Sequence, residues 1–138
     1  MYLIDSSAWI EYLRKTGSPA NVVVRELLRR PELVATTEPV IMELLAGPSD
    51  ADTVVRLEET LNGLPLLSVD ATVDYRDAAH LYRAARRNGR TVRKLIDCLI
   101  AAVALRNGAV LVHDEADFDV ITGYTALKTL RAPTPGMG

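Results

Sequence analysis

Apolar and polar positions alternate along this chain in short blocks that switch between two periods. Tyr2–Ile4 is a brief β-favouring run that stops at a bare acid, Asp5. Ser6 or Ser7 reads as the cap of a helix running to Arg14 and closed by Gly17. Ser18 followed by Pro19 starts a second helix, with Val23, Val24, Leu27 and Leu28 as its apolar stripe. Leu33–Ala35 reads as a second strand, and Pro39–Leu45 as a helix ended by Gly47 and Pro48. Ser49 or Asp50 caps the next helix, whose buried face carries Val54, Leu57, Leu61 and Leu64. Leu66–Val69 reads as a third strand, and Asp70 as the cap of a long helix ending near Gly89. Arg93–Asn107 is the most apolar helix, with Gly108 at its end. Val110–Val112 is purely aliphatic and reads as a central strand. A short helix over Glu115–Ile121 and an edge strand over Leu127–Leu130 complete the pattern.

Strands separated by single helices or helix groups predict an α/β sandwich around a mostly parallel sheet of four to five strands. The 138 residues fit one domain, expected over 1–131, with 132–138 as a frayed tail rich in Pro and Gly. A content of 49% hydrophobic and 25% charged residues supports a packed core, and 5% aromatics means it is built from aliphatic side chains. A net charge of −2 excludes a bulk-basic nucleic-acid binder but permits a local basic patch. The single cysteine, Cys98, leaves no intramolecular disulfide, which points to a reducing, cytoplasmic setting. No basic run precedes the first apolar residues, which argues against a signal peptide. No uncharged apolar stretch approaches the roughly 18 residues of a membrane span, so no membrane association is expected.

The acids fall where this architecture puts chemistry. Ligands of open parallel sheets bind beyond the carboxyl ends of the strands, where strand order reverses. Asp5 follows the first strand, Asp114 follows Val110–Val112, and Asp117 lies a helical turn beyond Asp114. Glu43 sits in the helix after the second strand, and Asp97 in the first turn of the helix feeding Val110–Val112. Asp97 interrupts an apolar helix with no Lys or Arg three or four positions on, and an unpaired buried charge is costly. Carboxylates gathered in one pocket repel unless a cation joins them. Mg²⁺ or Mn²⁺ suits an all-oxygen set and serves phosphate chemistry by polarising a phosphoryl oxygen and activating water. Each acid taken alone has a plainer reading. Asp5 reads equally as a helix cap, Glu43 as a solvated helix residue, and Asp114 and Asp117 as turn or cap residues.

A basic run, Arg83, Arg86, Arg87, Arg90, Arg93 and Lys94, leads to Asp97 without an intervening acid. It suits a polyanion reaching the acids, and equally a solvated helix end complementing its dipole. Arg25, Arg29 and Arg30 form a weaker patch. Cys98 reads as a small core residue, His80 as exposed and His113 as packing. Ser6 and Ser7 lack a His partner for a triad, and Ser7 is better suited to orienting a carboxylate or binding a phosphate. Trp9 and Tyr12 share a helix face that reads as core or dimer surface.

Four segments, "LIDSSAWIEYL", "EPVIMELLAG", "RKLIDCLIAAVAL" and "VLVHDEADF", occur here in an order and spacing that resembles the PIN-domain ribonucleases of the VapC toxin type. The resemblance spans residues 1 to about 130 and implies a three-layer α/β/α fold and a Mg²⁺- or Mn²⁺-dependent endoribonuclease. It puts the family acids on Asp5, Glu43 and Asp97, the fourth on Asp114 with Asp117 as the alternative, and the family hydroxyl on Ser6 or Ser7. It also implies an RNA substrate, a homodimer, and a cognate VapB-type antitoxin lying over the site; the basic run, with Arg86, Arg87, Arg90 and Arg93, is then expected to seat the RNA backbone. The surface around Trp9, Leu13, Val23 and Leu27 is the expected antitoxin contact. Two competing readings stay open on the residues alone. One is a phosphatase or phosphotransferase using Asp5 as nucleophile, although Ser7 stands where such folds often carry a second acid. The other is a catalytically inactive binding module.

Overall fold

The computed structural model describes residues 1–131, so the expectation of a frayed tail over 132–138 lies outside the described residues. Four strands form one sheet: β1 (Tyr2–Ile4), β2 (Val34–Ala35), β3 (Val110–His113) and β4 (Lys128–Arg131). All pairings are parallel and the order is β2-β1-β3-β4. Helices α1 (Ser6–Leu13) and α2 (Pro19–Leu27) join β1 to β2. Helices α3 (Glu38–Leu45), α4 (Ala51–Asn62), α5 (Asp74–Arg87) and α6 (Leu95–Asn107) join β2 to β3, and α7 (Ala116–Thr122) joins β3 to β4.

The chain leaves β1 toward one edge of the sheet and leaves β3 toward the other. Right-handed crossovers in opposite directions put α1–α2 and α7 on opposite faces. Accordingly α1 packs on α2, α6 packs on α5 and α7, and α3 touches both α1 and α6. The same reversal opens a crevice between the carboxyl ends of β1 and β3. Leu3, Ile4, Leu111, Ile100, Val103 and Phe118 are fully buried in one core that holds strands and helices together. Helix α6 is buried on nearly every face from Asp97 to Ala104, as its all-round apolar sequence requires.

Leu66–Val69 is not a strand. It makes a single parallel bridge, Thr36 to Leu66, supported by Leu67 N–H donating to the Thr36 carbonyl at 2.8 Å. Side chains take the groups that would extend the ladder. Glu38 receives Val69 N–H at 2.8 Å and Ser68 Oγ at 2.5 Å, and Arg106 Nη2 donates to the Ser68 carbonyl at 2.8 Å. Asp70 does not cap α5 directly. Its side chain accepts from Thr72 N–H and Oγ1 in a turn, and the helix begins at Asp74. Helix α6 begins at Leu95 rather than Arg93, and α1 is capped by Asp5 rather than by Ser6 or Ser7. Trp9 is core, fully buried edge-on to Tyr12 at 5.9 Å, and so is not part of an exposed docking surface. No helix among the described residues is long and apolar enough to cross a membrane.

Candidate metal centre

Asp5 answers to two roles at once. It is the N-cap of α1, where its Oδ2 accepts Ser7 N–H at 2.9 Å and Ser7 Oγ at 2.5 Å. Its backbone N–H continues the sheet by donating to the Val112 carbonyl at 2.8 Å. Its second oxygen, Oδ1, is buried with no partner. A capping role uses one carboxylate oxygen and leaves the other, here buried, without a hydrogen bond.

Asp97 enters from α6, and its Oδ2 is likewise buried without a partner. Burial is the main cause that pushes the Asp97 carboxyl up to about 8, reinforced by its hydrogen bond to Asp117 and the charge of Asp5. Lys94, three residues earlier, pulls the other way, so the compensating cation lies on the turn before Asp97 rather than after it. Burial also pushes the Asp5 carboxyl up against the pull of the Ser7 hydrogen bonds, and Glu43 adds its charge in the same direction as burial.

Asp117 is buried on α7 and ties the crevice to the start of α6. Its Oδ1 and Oδ2 accept Arg93 N–H and Lys94 N–H, each at 2.9 Å. Partial burial alone raises its carboxyl, but those two N–H groups and Asp97 outweigh it and hold it below the ordinary value. One oxygen from each of Asp97, Asp117 and Glu115 lies within 4.8 Å of the others. Glu43 on α3 accepts Ser6 Oγ at 2.9 Å and is half-buried.

Of the expected fourth acids, Asp117 is in the cluster and Asp114 is at its rim. The Asp114 side chain is 42% exposed and faces Arg131 Nε at 3.5 Å, while its backbone N–H donates to Ser7 Oγ at 2.9 Å. Ser7 Oγ is therefore engaged by Asp5 and Asp114 together, which makes it an orienting group rather than a free phosphate contact. Glu115 was not singled out from the sequence; it sits among four acids between 114 and 119, any of which could be solvated. Its two oxygens accept Arg93 Nη2 and Lys94 Nζ at 3.2 Å each.

The basic run ends at this cluster. Arg83, Arg86, Arg87 and Arg90 are exposed at the end of α5 and in the following loop, with Arg86 stacked over Tyr82 at 5.6 Å. His113 is buried against Phe118 at 5.0 Å and accepts Glu115 N–H on Nδ1 at 3.2 Å, which is a packing role. Cys98 is buried core, and His80 is exposed.

Asp97, Asp117 and Glu115 thus cluster, Asp5 bears on Asp97 and Glu43 on Asp5, and Asp5 Oδ1 and Asp97 Oδ2 are buried without a partner. An all-oxygen donor set of this kind fits a hard divalent cation. The PIN domain family pattern matches residues 2–124. The chain is 55% identical over 129 residues to VapC ribonuclease Mb1587 of Mycobacterium bovis, covering 93% of this chain and 96% of that protein. The chain belongs to the PIN-domain family of VapC ribonucleases. Ribonuclease VapC11 of Mycobacterium tuberculosis matches at 55% over the same spans, 93% of this chain and 96% of the relative. Among solved structures, VapBC-1 from nontypeable Haemophilus influenzae superposes with a TM-score of 0.72 at 17% identity, covering 94% of this chain and 96% of that one. At that identity the superposition speaks for the fold, an α/β PIN architecture.

Proposed function

We propose that this PIN-domain chain is a toxin that hydrolyses RNA phosphodiester bonds with a divalent cation, Mg²⁺ or Mn²⁺, and is held in check by a cognate VapB-type antitoxin. The observation that carries the reading is the pair of buried, unpartnered carboxylate oxygens, Asp5 Oδ1 and Asp97 Oδ2, in one crevice. Left without a cation they cost stability, which is the expected mark of groups placed to bind rather than to pack. Asp5 and Asp97 hold the ion directly, Asp117 braces Asp97, and Glu43 faces Asp5 from α3 to orient the attacking water. The bound ion supplies Lewis-acid polarisation of the phosphoryl oxygen and a more acidic water. Ser7 fixes Asp5 and the Asp114 backbone in register, so the strand ends cannot drift apart. Asp114 serves at the rim. Arg86, Arg87, Arg90 and Arg93 seat the RNA backbone.

A groove of about 810 Å³ runs from Ile10 and Leu13 past Leu44 and Leu57 to Glu43. Its lining mixes apolar residues with Arg14, Lys15 and Arg56 as well as Glu43 and Asp50, which suits an antitoxin segment with apolar anchors and charged flanks, and exposed Leu13 belongs to the surface expected from the sequence. Val23 and Leu27 are half-buried and lie outside this groove. The expectation drawn from the family resemblance, a homodimer working in the cytoplasm, is part of this proposal.

The test is cleavage of total RNA by purified protein with Mg²⁺ and with EDTA, followed by sequencing of the new ends. Cleavage is expected only with the cation and is lost in Asp5→Asn and Asp97→Asn, both of which stay folded by circular dichroism. Intact RNA with wild type, or cleavage by either variant at the wild-type rate, overturns the reading.

A further inference from the structure

The proposed function leaves Glu115 without a task, yet three observations converge on it. Its Oε1 and Oε2 are both engaged, by Arg93 Nη2 and Lys94 Nζ at 3.2 Å each. The same carboxylate belongs to the group whose oxygens lie within 4.8 Å of one another with Asp97 and Asp117. Asp97 Oδ2, in that group, is buried and has no partner. Accessibility separates the members further. The Glu115 side chain is 14% exposed, against 71% for Arg93 and 50% for Lys94. The acid is fixed near the floor, and both cations are long side chains that can leave for solvent.

Glu115 faces a choice. Its oxygens can neutralise two side-chain cations, or turn toward a divalent ion in the acid cluster, but cannot do both at full strength. Lys94 matters beyond this one contact, because its charge also bears on Asp97 and Glu43. Of the two cations on Glu115, the charge of Arg93 bears on Asp117, while Lys94 is the one whose charge bears on Asp97. An arriving dication displaces it by simple repulsion and by competition for the same oxygens. Two cations freed at the rim of a phosphodiester-cleaving site have an obvious counter-charge in the substrate.

Resting on the reading of this site as one for a divalent cation and RNA, we propose that Glu115 is an exchange carboxylate. It keeps Lys94 and Arg93 drawn down over the acids until a divalent cation enters, then turns to that cation and releases both side chains to the RNA phosphates. Cation and RNA binding are thereby linked, and each strengthens the other by the same factor.

The experiment compares wild type, Glu115→Gln, the Arg93→Met/Lys94→Met double variant and the triple variant. Mn²⁺ binding to the protein alone is read by electron paramagnetic resonance. Binding of a fluorescent RNA oligonucleotide is read in EDTA, where it stays intact. Glu115→Gln is expected to bind Mn²⁺ at least about threefold more weakly and RNA about fivefold more tightly than wild type. The RNA gain is expected to vanish when Arg93 and Lys94 are already Met. A loss of negative charge acting only through the general field would instead tighten RNA by the same factor in both backgrounds. A second measurement needs no variant: the acylation rate of Lys94 by an amine reagent, followed by mass spectrometry with Lys15 as internal reference. It is expected to rise at least about threefold on adding Ca²⁺, as the ammonium leaves Glu115. Unchanged Mn²⁺ affinity in Glu115→Gln, an RNA gain of equal size in both backgrounds, or Lys94 reactivity indifferent to Ca²⁺ each overturns the exchange. Wild-type protein that binds neither Mn²⁺ nor RNA overturns the functional reading itself, and the exchange with it.

Discussion

Asp97 on α6 and Asp117 on α7 bring carboxylate oxygens within 4.8 Å of each other. The two acids are pushed apart in acidity by their surroundings. Asp97 is raised to about 8, chiefly by burial, while the backbone N–H groups of Arg93 and Lys94 overcome partial burial and keep Asp117 below its ordinary value. At neutral pH Asp97 therefore keeps its proton, which the divalent cation of the proposed function would have to expel.

The sign of the pH dependence follows. A raised carboxyl favours its protonated form in the folded state, so its contribution to the stability of the cation-free protein is full below about 3.8 and is lost as pH climbs through about 8. The cation needs the ionised form, so its affinity rises with pH by up to about tenfold per unit and levels off above about 8. Thermal melts with and without Mg²⁺ at about pH 6 and about pH 8.5 check this. The gain in Tm from Mg²⁺ is expected to be larger at the higher pH; an equal gain at both speaks against Asp97 as the displaced acid.

Ser7 joins the ends of β1 and β3 through one hydroxyl, giving to Asp5 and taking from Asp114 N–H. Ser7→Ala leaves the helix cap partly intact, because Ser7 N–H still reaches Asp5. Its expected cost is about 10–100-fold in cleavage rate or metal affinity, as for other groups that orient a ligand, with a stability loss of only about 1 kcal/mol. Cleavage kinetics alongside a urea titration separate the two effects.

Arg106 and Asp74 form a two-pronged ion pair far from the chemistry. Nε and Nη2 reach Asp74 at 2.9 and 2.8 Å, and the Asp74 side chain is fully buried. Arg106→Met strands a buried carboxylate, at a cost of about 2–3 kcal/mol, toward the low end for such a break because Arg106 keeps one-third of its surface exposed. The urea midpoint is expected to fall with an unchanged slope, while cleavage at low temperature stays near wild type.

The tip of α5 carries charge without touching the acids. Replacing Arg86, Arg87 and Arg90 by Ala is expected to raise KM and leave kcat within about twofold. The same change should lower the salt slope of RNA affinity by about 2, near 0.7 for each lost phosphate contact on a single strand. A fall in kcat with an unchanged salt slope would assign these arginines to the reaction rather than to seating the strand.

Much of the site was legible because charge in an apolar setting is conspicuous. Asp5 ends a buried strand and Asp97 interrupts an all-apolar helix, so each stood out by its neighbours alone. Asp117 was legible only as the alternative to Asp114, and Glu115 not at all. Within the acidic stretch from 114 to 119, which side chains turn inward depends on where α7 begins and on Arg93 and Lys94 arriving from another segment. Local pattern carries no record of that meeting. The extra strand over Leu66–Val69 failed for a related reason. Its β-favouring residues were real, but Glu38 and Arg106, distant in sequence, claim its polar groups. The fold class survived because element order and hydrophobic period are local, whereas the last strand of a sheet depends on long-range partners.

Strand β1 lies between β2 and β3, so it is an interior strand whose second neighbour starts more than a hundred positions along, at Val110. Asp5 is therefore brought toward Asp97 and Asp117 only by contacts of long sequence separation, and a folding intermediate that has formed α1 and α2 alone carries Asp5 without the other acids.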